Sequence, residues 1–177
     1  MPWTPSAKFQ TATMVALRIL IGWHFLYEGL AKLLNPYWTS AGYLAESRWL
    51  FKGLFVAIAA SPGAVTVVDY VNMWGQILIG VGLFFGLFTR WSAIGGIVLL
   101  ALYYIAAPPL VGYTYPMPAE GSYLIVNKVL IELAALLVVL AYPTSQTFGL
   151  DRFLARNKSG SLPERLAPAV LESTGHD

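Results

Sequence analysis

The segment Arg18-Ile-Leu-Ile-Gly-Trp-His24-Phe-Leu-Tyr-Glu28-Gly-Leu-Ala-Lys32 carries ionisable side chains through a run that is otherwise apolar and aromatic. At 3.6 residues per turn, His24, Glu28 and Lys32 are successive i,i+4 neighbours and form one row on a single helix face. An imidazole titrates near neutrality, and a carboxylate flanked by two bases can pass a proton between them, so the row has the makings of an acid–base relay. Arg18 lies roughly 20 Å along the axis from Lys32. It needs a separate partner, and carbonyls of neighbouring helices are the expected one.

The element that holds these groups reads as a membrane span. The chain has 177 residues, 57% of them hydrophobic and 11% charged, whereas soluble domains carry about 25% charged residues. Within a span, an Arg, Lys or Asp costs about 2.5–3.5 kcal/mol, and each Leu, Ile or Phe returns about 0.3–0.6 kcal/mol. The charged row must therefore face other helices or a wet cavity. The chain has no cysteine and only two histidines, His24 and His176. This excludes disulfide and iron–sulfur chemistry, a bis-histidine haem in the bundle, and a Cys/His zinc site. No metal is expected. The net charge of +2 gives no reason to expect nucleic acid as a partner. The start of the chain does not read as a cleaved signal peptide, because residues 1–10 carry only Lys8 and no small-residue cleavage pattern follows the apolar run.

The expected fold is an all-α membrane protein, a four-transmembrane-helix bundle in residues 1–154 with spans at about 11–34, 64–88, 92–107 and 122–142. Asn35-Pro36 stops the first span, and Pro108-Pro109 and Pro143 stop the third and fourth. Between spans one and two, the aromatic run 49–60 is too short to cross and reads as an interfacial helix. Thr89-Arg90-Trp91 reads as a tight turn, with Arg90 a positive residue on the inner side. Gly82 and Gly86 form a small-xxx-small pair suited to close helix approach. The polar tail, residues 155–177, is expected to be disordered.

Lys8, Arg90, Arg152, Arg156, Lys158 and Arg165 fall on one side of such a bundle, Arg48 and Lys52 on the other. The positive-inside rule then puts both termini in the cytoplasm. In that topology His24, Glu28 and Lys32 share the outer half with Asp69, Asn72 and Gln76 of span two and Asn127, Lys128 and Glu132 of span four. Polar groups of three helices are expected to converge there.

The combination Arg18…Gly22…Phe25…Glu28-Gly29…Lys32, then Gln76…Gly80-x-Gly82…Gly86-Leu-Phe-Thr-Arg90, then Gly149-Leu-Asp151-Arg-Phe-Leu resembles the DoxX family of small bacterial four-helix membrane proteins. More loosely, the chain is similar to the DoxD-type subunit of thiosulfate:quinone oxidoreductases. The resemblance implies a bundle in the cytoplasmic (inner) membrane and a quinone-reducing partner complex. The long aromatic connection between spans one and two departs from the pattern, as does the Tyr/Pro-rich one between three and four, so a thiosulfate substrate does not carry over.

On this reading an isoprenoid quinone headgroup binds in the polar cavity, His24, Glu28 and Lys32 manage protons, and Trp23, Tyr27 and Trp74 offer flat surface to the ring. A partner redox protein brings the electrons, since the chain has no redox group of its own. A different class of function is a non-catalytic membrane anchor or assembly factor for an extracytoplasmic subunit, docked on the aromatic connections. A third is a small-solute or proton path, which would require a homo-oligomer or an internal cavity. Membrane lipid is a partner in every case.

Overall fold

The computed structural model describes residues 6–112, 124–142, 144 and 148–151, and the regular structure among them is helical. The helices are α1 (Ala7–Leu34), α2 (Ala41–Ala45), α3 (Lys52–Ala59), α4 (Pro62–Phe85), α5 (Thr89–Ala106) and α6 (Lys128–Ala141). Three of them, α1, α4 and α5, are long and apolar enough to cross a membrane. α6 has 14 residues, a rise of about 21 Å against a hydrocarbon core of about 30 Å. Large apolar side chains such as Leu20, Val71, Leu78 and Ile131 lie on the outer surface, as the chain of a membrane protein requires.

Local chemistry sets the helix ends. The Ser6 hydroxyl accepts from the Phe9 amide at 3.3 Å to start α1, and Pro62 occupies the first turn of α4, where its missing N–H costs nothing. α4 ends because Gly86 takes a left-handed conformation, φ +67°, and its N–H returns to the Gly82 carbonyl. The helix therefore stops at Phe85 rather than near 88. α5 starts at Thr89, so Arg90 lies exposed in its first turn, and the tight turn is Gly86 to Phe88 instead. α6 begins at Lys128 rather than near 122, because the Asn127 side chain accepts from the Leu130 amide at 3.0 Å and caps the helix there. The run 49–60 gives only the two-turn α3, preceded by Phe51 at φ +61°, and α2 forms upstream of it. The tail 155–177 and most of the connection between α5 and α6 lie outside the described residues.

α1 packs chiefly on α4, and α5 on α6. The α1–α4 contact is backbone against backbone: a Cβ on Gly22 would meet Phe84, one on Gly29 would meet Ile77, and one on Gly80 would meet the Leu26 backbone. Those pairings fix an antiparallel register. His24 comes level with about residue 82 of α4, so His24, Glu28 and Lys32 stand about 6, 12 and 18 Å from the level of Gly86. Lys32 reaches only the midpoint of α4, and the charged row occupies the half nearer the α4–α5 turn rather than the far half. The stagger between the two helices, invisible in either segment alone, makes the difference. Ile21, Phe25, Leu83, Ala93, Leu100, Leu136 and Val139 fill the core between the helix pairs. A second cluster, Leu44, Phe55 and Ala106, holds α2 and α3 against the end of α5.

Candidate functional site

α1 and α6 meet least among the packed long helices, and a polar cleft of about 130 Å³ opens at their seam. His24, Glu28 and Lys32 line it from α1, Gln76 from α4, Tyr103 from α5, and Lys128 and Glu132 from α6; Phe25, Leu100 and Val129 supply apolar wall. The i,i+4 row thus faces one space, as its spacing predicts. His24 Nδ1 lies 2.9 Å from Glu132 Oε1, with the imidazole half-exposed and the carboxylate largely covered. A carboxylate can only accept, so the ring donates through Nδ1 and keeps Nε2 as its other exchange site.

Lys32 sits at the closed end. Its ammonium donates to Gln76 Oε1 at 2.7 Å and Asn72 Oδ1 at 3.4 Å, and Glu28 Oε2 is 3.8 Å away. Two rings complete the cage, Trp38 at 5.3 Å and Tyr103 at 5.7 Å from Nζ to the ring centre. Amide oxygens, a carboxylate and π faces all favour a cation, so the fold compensates Lys32 for leaving water. The Asn72 side-chain N–H donates to the Tyr103 hydroxyl, which keeps its own proton available to a neighbour in the cleft.

Other residues expected at the site sit elsewhere. Asp69 lies beyond the cleft and accepts from the Ser40 amide at 2.8 Å and from the Ser40 hydroxyl, tying the α1–α2 connection to α4. Asn127 caps α6. Trp23 and Tyr27 are exposed on the outer face of α1, with Trp23 stacked toward Phe84, and Trp74 is exposed on α4. None of the three rings lines the cleft; each points to the opposite side of its helix from the core residues. Arg18 is buried near the middle of α1, level with the α4–α5 turn, donating to the Phe148 carbonyl at 2.6 Å and Thr144 Oγ1 at 3.3 Å. It belongs to a clasp in which the Leu150 and Asp151 amides bond the Phe85 and Gly86 carbonyls. In the same clasp the Asp151 carboxylate accepts from the Phe88 and Thr89 amides at 2.7 and 3.3 Å and caps α5.

Sequence reasoning missed Tyr103 and Trp38 as neighbours of Lys32. The available signal was a phenol close to the end of an apolar span, Tyr103-Tyr104 before Pro108. Among the described residues no group of His, Cys, Asp or Glu has the geometry to hold a metal ion.

Apolar crossing helices around a charged cleft define a helical membrane protein with a polar site inside its span region. The DoxX family profile matches residues 13–108, over half the chain. The protein belongs to the DoxX family. Neither a curated protein nor a solved structure matches it.

Proposed function

We propose that this protein is the membrane subunit of a quinone-linked oxidoreductase, with the α1–α6 cleft receiving the quinone headgroup and a partner redox protein supplying electrons. The observation that carries the reading is the pairing, within one cleft, of a half-exposed His24–Glu132 hydrogen bond with the caged Lys32. Quinone reduction takes up two electrons and two protons. His24 and Tyr103 are placed to donate to carbonyl oxygens, and Glu132 holds the imidazole in one orientation. Glu28, between His24 and Lys32, is placed to restore the proton. Phe25, Leu100 and Val129 give the ring an apolar wall. A cleft of about 130 Å³ is small beside drug-sized pockets of about 300–1,000 Å³, so it suits a single ring whose isoprenoid tail stays in lipid.

In this reading α6 is the fourth span. Its support is that Thr144 and residues 148–151 return to the α4–α5 turn, so α6 runs toward that side. α3, short and apolar with Lys52 at its start, lies at the membrane surface, and the charge distribution puts both termini in the cytoplasm and the bundle in the inner membrane. The test is lipid extraction of protein purified in mild detergent, followed by mass analysis. An isoprenoid quinone should accompany the wild type and be depleted in His24→Ala and Glu132→Gln variants that keep the wild-type helical content. Quinone-free wild type, or variants that retain quinone and support wild-type electron transfer, would refute the assignment.

A further inference from the structure

On the reading that α6 is the fourth span, the α1–α6 seam leaves charge on the outside of a helix pair within the membrane. The His24 and Glu28 side chains are 49% and 45% exposed, Lys128 is exposed, and α1 has the length and composition of a span. Ionisable groups at this depth normally face a bundle interior, a wet cavity or one another, because hydrocarbon solvates none of them. The cleft is thus built like half of a site.

The charges on the seam also have a pattern in height. α6 runs antiparallel to α1 and is registered by His24–Glu132, so Glu132 is level with His24, and Lys128, four residues earlier, is level with Glu28, about 6 Å further along. Two copies inserted the same way round are related by a two-fold axis along the membrane normal, which preserves height. Seam to seam, α1 of one copy faces α6 of the other, so Glu28 of each chain meets Lys128 of the second copy, and His24 meets Glu132. The surface is self-complementary under the symmetry a membrane imposes.

We infer that a second copy of this chain covers the α1–α6 seam, and that the two clefts close into one shared chamber of about twice the volume of one. Each copy then contributes His24, Glu28, Lys128 and Glu132 to a site that neither completes alone. The inference stands on the charge pattern and not on what the chamber binds.

Charge reversal tests it. Two differently tagged copies are co-expressed, solubilised in mild detergent and retrieved by one tag. Wild-type copies should co-purify. Glu28→Lys alone puts Lys against Lys128 of the second copy, and Lys128→Glu alone puts Glu against Glu28, so each should lose about tenfold or more in self-association. A Glu28→Lys copy mixed with a Lys128→Glu copy restores opposite charges across both contacts while leaving like charges within each chain, and should co-purify as the wild type does. Recovery on mixing therefore separates pairing between copies from a folding defect within one. Because the chain contains no cysteine, a second measurement needs no background removal. Glu28 and Lys128 both line the cleft and stand level across the inferred contact, so a Glu28→Cys copy should form a disulfide with a Lys128→Cys copy under mild oxidation. Wild-type copies that do not co-purify, reversed variants that self-associate normally, or a mixture that stays apart would each overturn the inference. If the reversed chains fail to accumulate, absence of the Glu28→Cys/Lys128→Cys disulfide overturns it.

Discussion

Replacing Gly22 by Ala should weaken the protein far more than adding one methyl group to an apolar helix suggests. A Cβ there would stand 2.5 Å from the Phe84 backbone nitrogen, 2.9 Å from its Cα and 3.0 Å from the Leu83 carbonyl carbon. Ordinary contact begins near 3.4 Å, so α1 and α4 must separate by about 0.9 Å at this crossing. The obstructing atoms are backbone, so no rotamer change can relieve the clash. Overpacking of this kind costs about 1–3 kcal/mol, partly offset by the roughly 0.8–1.0 kcal/mol by which Ala outranks Gly in a helix. The control is Gly75→Ala on α4, where a Cβ meets nothing within 4 Å; only the propensity gain remains, and stability should rise by up to about 1 kcal/mol. Denaturant or thermal unfolding of both variants in the same detergent gives the comparison. Separation of α4 from α1 also draws Gln76 and Asn72 away from Lys32, so Gly22→Ala should reduce occupancy of the cleft as well. Equal stability of the two variants would refute the claim that glycine sets the α1–α4 distance.

Gln76→Leu removes the shortest hydrogen bond to Lys32 and should cost about 1.5–3 kcal/mol, the range for bonds to a charged group; a Gln76→Leu/Lys32→Met double variant should recover much of the loss in the same unfolding assay, because no charge is left stranded. Asp151→Ala removes the acceptor for the Phe88 and Thr89 amides and should cost about 0.5–2 kcal/mol as a lost helix cap. Faster hydrogen exchange at the first turn of α5 would locate the effect, and unchanged exchange there would count against the cap.

Membrane character, three of the four expected long apolar segments and the shared face of the acid–base row were readable from residue order, because each depends on periodicity or composition. A run without charge says that a segment can cross, and i,i+4 spacing says that His24, Glu28 and Lys32 share a face whatever that face meets. The family motifs were equally local, short patterns at fixed intervals. Helix ends were less legible. Gly86 and Asn127 end or start their helices through a left-handed residue and a side-chain cap, and competing signals a few residues away gave different boundaries.

The tertiary structure alone decided which polar groups meet. Asp69, Asn72 and Gln76 make one stripe on α4, yet the α1–α4 stagger sends Asn72 and Gln76 to Lys32 and leaves Asp69 to hold Ser40. Trp23 and Tyr27 sit beside His24 in sequence but turn outward, because 100° per residue carries them off the seam. Tyr103 and Glu132, from helices far along the chain, complete the cleft. Sequence spacing fixes angles about one helix axis, and only contacts between axes, such as the glycine approaches of α1 and α4, fix the relative heights at which the charges of different helices come together.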